Sequence, residues 1–310
     1  MNRRELLQKT AALSILGAIP ASRAVSAEAF YEDVPSRNQP AVPVASLKPP
    51  ASGSIPVAFA ISDGAVVIDF AGPWEVFSAV NVPSRSDNPF QLYTVAANSN
   101  PIQASGGLKI VPDYTFKNAP APKVIVIPAQ NGADTSMLNW IRESSRNTDV
   151  TMSVCTGAYV LARTGLLSGK SATTHHGAYK EFAYEFPDIH VKRGARYVEE
   201  GNLATAGGLS SGIDLALHVV DRYYGREVAT KTAAMMEYQG RGWLNPDSNQ
   251  EFAKSPVSTP EHPLCVVCEM EVNPKTSPTS VYHAKTYYFC MPDHKAMFDA
   301  APQKFLEDGD

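Results

Sequence analysis

Two short runs in the middle of this chain are apolar at every position, Val57-Ala58-Phe59-Ala60-Ile61 and Val124-Ile125-Val126-Ile127. A strand with one wet face alternates polar and apolar residues; one without alternation is covered on both faces, as in the centre of a parallel sheet. The second run ends at once on Pro128. Phe90–Ala96 and Asp149–Val154 read as further strands, and Ala65–Phe70 as an extension of the first element. Between them, Gly72-Pro73 opens an amphipathic stretch with Trp74, Val76, Phe77 and Val80 on its apolar side. Asp134–Ser145 is helical in pattern, and Gly157–Ala162 starts a helix directly after a strand. Strands alternating with helices predict an α/β fold, a three-layer sandwich with a mostly parallel sheet.

The chain has 310 residues, ample for one large domain or two. With 44% hydrophobic and 19% charged residues it is too apolar for wholesale disorder. A formal charge of −4 excludes a basic nucleic-acid binder. Four cysteines cannot staple 310 residues, so a disulfide scaffold is excluded too.

Arg3-Arg4 precede the apolar run Thr10–Ala21, and Val25-Ser26-Ala27 has the small residues of a processing site. Residues 1–27 therefore read as an export signal, too short in its apolar part to span a bilayer after processing. Paired arginines favour the twin-arginine route, which carries folded proteins; an ordinary secretory signal is the alternative. The expected location is periplasmic or otherwise exported. Residues 28–54 form a Pro- and Ser-rich tether, with Pro35, Pro40, Pro43, Pro49 and Pro50. Residues 245–262 read as a second linker, between a middle domain of residues 55–244 and a tail of residues 263–310.

Ser153-Val154-Cys155-Thr156-Gly157-Ala158 places a thiol between a strand and a helix, in a turn tight enough to need Gly157 and Ala158 beside it. This is a nucleophile elbow with Cys as nucleophile. Unpaired N–H groups at the helix start are expected to lower the thiol's pKa and to hold an anionic intermediate. Cys155 as a small buried hydrophobe is the alternative. Asp69, placed at the carboxyl edge of the sheet, is a candidate proton carrier or a helix N-cap. His175, in Thr173-Thr174-His175-His176, is a second candidate base or a packed residue.

These segments carry a resemblance. Asp69-Phe70-Ala71-Gly72-Pro73, Val124–Pro128, Ser153–Ala158, Gly165–His175 and Gly201–Asp214 occur in the order and spacing of the DJ-1/PfpI superfamily, and resemble its isonitrile hydratase branch. The resemblance covers about 190 residues and implies a flavodoxin-like domain, without cofactor, assembling as a homodimer. It implies that Cys155 is the nucleophile, that Asp69 exchanges protons with substrate and water, and that Thr156 lies beside the thiol. Protease-like relatives carry His directly after the nucleophile, so Thr156 argues against peptidase chemistry. Ala129-Gln130 stands where relatives often have Gly-Gly, which alters the loop beside the thiol. Gly72, Gly157, His175 and Gly208 are the remaining turn or substrate-side candidates, although close packing alone would also require glycines.

In the tail, Cys265-x2-Cys268-x21-Cys290-x3-His294 has the spacing of a four-ligand soft-metal site. A disulfide among the three cysteines is the alternative. The tail resembles a YHS domain through Cys268-Glu269-Met270-Glu271-Val272, Tyr282 with Lys285–Cys290, and His294–Phe298. Cys265 and His294 depart from the residues common at their positions, and both keep four ligands available. Zinc and copper both suit such a set. The chain is thus expected to join a cysteine-dependent, hydratase-like enzyme acting on a small electrophile to a metal-stapled module. Its rival is a metal-binding or thiol-sensing protein that uses the α/β fold as a scaffold.

Overall fold

The computed structural model describes residues 46–306. The expected export signal (1–27) and most of the expected tether (28–54) lie outside the described residues. The described residues belong to one compact unit. In chain order its main elements are β1 (Ile55–Ala60), α1 (Val67–Ala79), β2 (Phe90–Ala96), β3 (Tyr114–Thr115) and β4 (Val124–Ile127). Next come α2 (Thr135–Ser144), β5 (Val150–Val154), α3 (Gly157–Arg163), α4 (Tyr179–Glu185), β6 (Tyr197–Glu200) and β7 (Leu203–Ala206). Helices α5 (Ser211–Tyr224) and α6 (Arg226–Met235) complete the sandwich. The tail folds as a hairpin, β8 (Thr279–Tyr282) and β9 (Lys285–Tyr288), followed by α7 (Pro292–Ala300).

A seven-stranded sheet runs β6-β7-β5-β4-β1-β2-β3. Every neighbouring pair is parallel except β6 with β7. The predicted double burial of β1 and β4 follows from layers on both faces. Val57, Phe59, Val124 and Val126 pack with Val76 and Phe77 of α1 and with Leu215, Val219 and Ala229 of α5 and α6. Ala58, Ala60, Ile125 and Ile127 point the other way, onto Ile141 of α2, Leu161 of α3 and Phe182 of α4. Among the described residues, no helix is long and apolar enough to cross a membrane.

One boundary differs from expectation. The β-branched run Val66-Val67-Ile68 reads as strand by propensity, yet α1 begins at Val67 and contains Pro73. Tertiary contacts override propensity here. The amide of Val66 donates to the Ala129 carbonyl at 2.8 Å, and that of Val67 to Ser105 Oγ at 3.1 Å, which satisfies the amides at the helix start. Asp69 therefore lies in the first turn of α1 and not at a strand end. Gly72, expected in a turn, sits inside α1, where a Cβ would fall 2.8 Å from Ile213 of α5. Its role is close helix–helix packing.

The segment 245–262 is laid against the sandwich. Arg196 N donates to the Pro246 carbonyl at 2.5 Å, and Arg193 Nε to the Ala253 carbonyl at 2.8 Å.

Candidate functional site

Parallel strands put their carboxyl ends on one edge, and β4, β5 and β7 bring three loops together there. Register aligns Val154 with Ala206, so Cys155 follows β5 exactly where Gly207 follows β7. The Cys155 amide donates to the carbonyls of Ala206 (3.2 Å) and Gly207 (2.9 Å). This clamp holds Cys155 at φ 58°, in the left-handed region that a non-glycine residue adopts at a cost of about 1 kcal/mol or more. The strain belongs to the elbow that aims the thiol out of the sheet.

Gly157 makes the elbow possible. A Cβ there would fall 2.8 Å from the Pro128 carbonyl oxygen and closer still to that of Ile127. Backbone cannot yield as a flexible side chain does. Gly157→Ala is expected to cost about 3 kcal/mol, read as a lower denaturant midpoint. A loss below about 0.5 kcal/mol would show that α3 does not press on β4 in this way.

Asp69 is fully buried. Its Oδ2 accepts from the Ala129 amide at 3.1 Å, while Oδ1 has no hydrogen-bond partner. Burial raises its pKa to about 7, against that one hydrogen bond. Its charge is near enough to act on the thiol. Burial first, and then Asp69, push Cys155 up to about 11. The expected lowering by the helix start is thus reversed. Backbone N–H groups of Leu209 and Thr156 and the Thr156 side chain do favour thiolate, but they are outweighed. Helix α3 has only seven residues and cannot offset the loss of water around a buried sulfur.

Thr156 lies beside the thiol, at the N-terminal cap of α3. Ala129 contributes its amide to Asp69, whereas Gln130 turns away: its amide group bonds Ser62 Oγ at 2.8 Å and the Ala60 carbonyl at 3.0 Å. Gln130 therefore fastens the ends of β1 and β4 together. His175 packs on Gly208, where a Cβ would come 2.6 Å from its ring. Its Nδ1 accepts from the Gly177 amide at 3.1 Å, and burial, with His176 adding, lowers its pKa. Thr174 Oγ1 donates to the Cys155 carbonyl at 3.0 Å. Leu209, at φ 33°, has no signal of its own in the sequence beyond the glycines before it.

The tail gathers a second set of groups. The ligand atoms of Cys265, Cys268, Cys290 and His294 all lie within 4.8 Å of one another. Cys268 and Cys290 sulfurs are 3.5 Å apart, and His294 Nδ1 is 3.4 Å from Cys265 Sγ and 3.2 Å from Cys290 Sγ. Tetrahedral zinc with ordinary bond lengths gives donor–donor edges of roughly 3.4–3.8 Å. The 3.2–3.5 Å separations lie close to those edges, and the widest in the set, up to 4.8 Å, would have to close around an ion. All four cysteines are free, and no disulfide competes for the set. Hydrogen bonds from Cys268 and His294 hold the Cys265 thiol far down, which provides the thiolate a soft metal needs. The knuckle turns through Glu269 at φ 62°, with the Cys265 amide donating to the Met270 carbonyl at 2.8 Å.

Known proteins bear on the first of these sites. The DJ-1/PfpI family model matches residues 56–222. The chain is 34% identical over 176 residues to an isonitrile hydratase of Pseudomonas putida, covering 55% of this chain and 73% of that one. It is 26% identical over 204 residues to the HTH-type transcriptional regulator GbdR of Pseudomonas aeruginosa, covering 64% of this chain and 54% of the regulator. Among solved structures, a ThiJ/PfpI family protein from Pseudomonas syringae superposes with a TM-score of 0.54 at 25% identity, covering 69% of this chain and 85% of that one. An elbow cysteine beside a buried carboxyl, on a sheet of this order, is thus set in a sequence that the family model spans from β1 into α5. The chain belongs to the DJ-1/PfpI family.

Proposed function

We propose that the chain is a cysteine-dependent hydratase for small, uncharged electrophiles, isonitriles first among them. One observation carries this reading. Asp69 is buried with an unpartnered Oδ1 and a pKa near neutrality, and its charge acts on the Cys155 thiol. Asp69 takes the thiol's proton, and the sulfur adds to the isonitrile carbon. The same carboxyl returns the proton to that carbon, giving a covalent thioimidate. Water then adds across the carbon–nitrogen bond with Asp69 as base. The carbon–sulfur bond breaks, releasing an N-substituted formamide and the free thiol. The amides of Leu209 and Thr156 stabilise negative charge on sulfur along this path. Ile68 and Leu209, each about two-fifths exposed beside these groups, favour an apolar substituent on the substrate.

The likeness to an isonitrile hydratase over 73% of its length supports this reading. The likeness to a transcriptional regulator favours a second, a binding domain that captures its ligand without turnover. Intact-mass measurement after exposure to aryl and alkyl isonitriles, with formamide quantified in parallel, separates them. Formamide accumulating over many turnovers, with a transient adduct on Cys155, is the expected result. Binding of isonitriles without formamide would overturn the enzyme.

The proposal extends to the rest of the chain. The tail is a YHS-type module in which Cys265, Cys268, Cys290 and His294 hold zinc or copper, and the donor set supports the assignment. Residues 1–27 direct export, and the α/β domain forms a homodimer in solution.

A further inference from the structure

The tail rests on α4, a short helix of the α/β domain. Tyr184 of α4 packs against Phe305 with ring centroids 5.1 Å apart. The residue before the helix's third position, Lys180, reaches Glu269 of the cysteine knuckle at 3.3 Å, and Arg193 reaches the same carboxylate at 3.4 Å. Just upstream, a Cβ on Gly177 would fall 3.2 Å from the Cys268 carbonyl. The α/β domain thus touches the knuckle at its backbone and at its one buried carboxylate.

It also touches the cluster's histidine. His294 directs Nδ1 at the sulfurs of Cys265 and Cys290, while its Nε2 lies 3.8 Å from Glu181 Oε1. The His294 side chain is 6% exposed and that of Glu181 24%, so the pair is largely withdrawn from water. An imidazole that gives one nitrogen to a metal presents an N–H on the other. A carboxylate there fixes the tautomer, orients the ring and raises its strength as a ligand. In this chain that carboxylate comes from a different part of the fold, 113 residues upstream.

We propose that Glu181 is the outer carboxylate of the tail's metal centre, so that metal binding and docking of the tail on α4 are one linked equilibrium. This rests on the metal reading of the tail. Whatever binds only the docked tail stabilises the docked state, and docking in turn raises the affinity for metal by the same factor. Glu181 is a positioning residue, acting through His294.

Zinc competition titration of the chelator-stripped full chain tests this, with amide hydrogen exchange followed over residues 177–185. Stoichiometric zinc in the wild type is expected, with Glu181→Ala weakening it about 10-fold or more. Glu181→Gln, which keeps an acceptor without the charge, is expected to fall between them. Zinc is expected to slow exchange across residues 177–185 in the wild type and not in Glu181→Ala, while both chains protect the knuckle around Cys265. A residue that merely packs would not grade affinity by charge. Stoichiometric zinc with equal affinity in all three chains, and no zinc-dependent protection of α4, would overturn the role of Glu181 and leave the metal centre standing. Absence of stoichiometric zinc in the wild type would overturn both.

Discussion

Replacing Cys155 with alanine or serine is expected to abolish isonitrile turnover, a loss of about 10⁴-fold or more, without unfolding the chain. No other cysteine can substitute, because the remaining three are gathered in the tail cluster. Serine keeps the shape and the clamp from Ala206 and Gly207, but an alcohol buried beside Asp69 is far harder to ionise than a thiol. Alanine removes the charge contact with Asp69 and leaves a small void, and these roughly offset in stability. Formamide release is the measurement, with circular dichroism as the check on folding. Turnover by Cys155→Ala at more than a few per cent of wild type would remove covalent catalysis from the proposal.

Asp69→Asn is expected to lose about 10²–10⁴-fold in turnover, the usual worth of a positioned proton carrier. It is also expected to gain stability. The sign follows from burial: Asp69 titrates at about 7 when folded, against an ordinary value of 3.8 when unfolded. Between those values the folded state keeps a proton that the unfolded chain has released, so wild-type stability falls as pH rises from about 4 to about 7. The limiting size of the effect is about 4 kcal/mol. Asparagine has no such titration, so the two chains should diverge progressively across that window, with the variant more stable at and above neutrality. Cys155 adds a further decline in the wild type as pH rises from its ordinary value of 9.0 to about 11. Denaturant midpoints at pH 4 and pH 8 measure the divergence. Parallel pH profiles would mean that Asp69 is ionised in the fold at no cost, and its role as a proton carrier near neutrality would go with it.

The sheet was readable in the sequence because burial on both faces erases alternation, and β1 and β4 are bare of polar residues for that reason. The elbow was readable because a glycine two residues after a cysteine at a strand end, Gly157 after Cys155, has few other uses. The start of α1 was not, since Val66, Val67 and Ile68 are strand formers held in a helix by Ala129 and Ser105, residues distant in sequence. The thiol's pKa is hidden from the sequence for a related reason. A helix start is visible in the sequence, but how deeply Cys155 is buried and how near Asp69 comes to it are set by packing. The four donors of the tail announce themselves by spacing, whereas Glu181 is one acidic residue on a helix surface until the fold sets it beside His294.

The seating of the tail on α4 also bears on the order of events in folding. Cys265, Cys268, Cys290 and His294 are made after Lys180, Glu181 and Tyr184, which form part of their surroundings. A nascent or damaged molecule can present the four donors, but not the pocket in which they sit. Ion retention would then serve as a quality mark, reporting that the α/β domain of the same molecule has been built correctly.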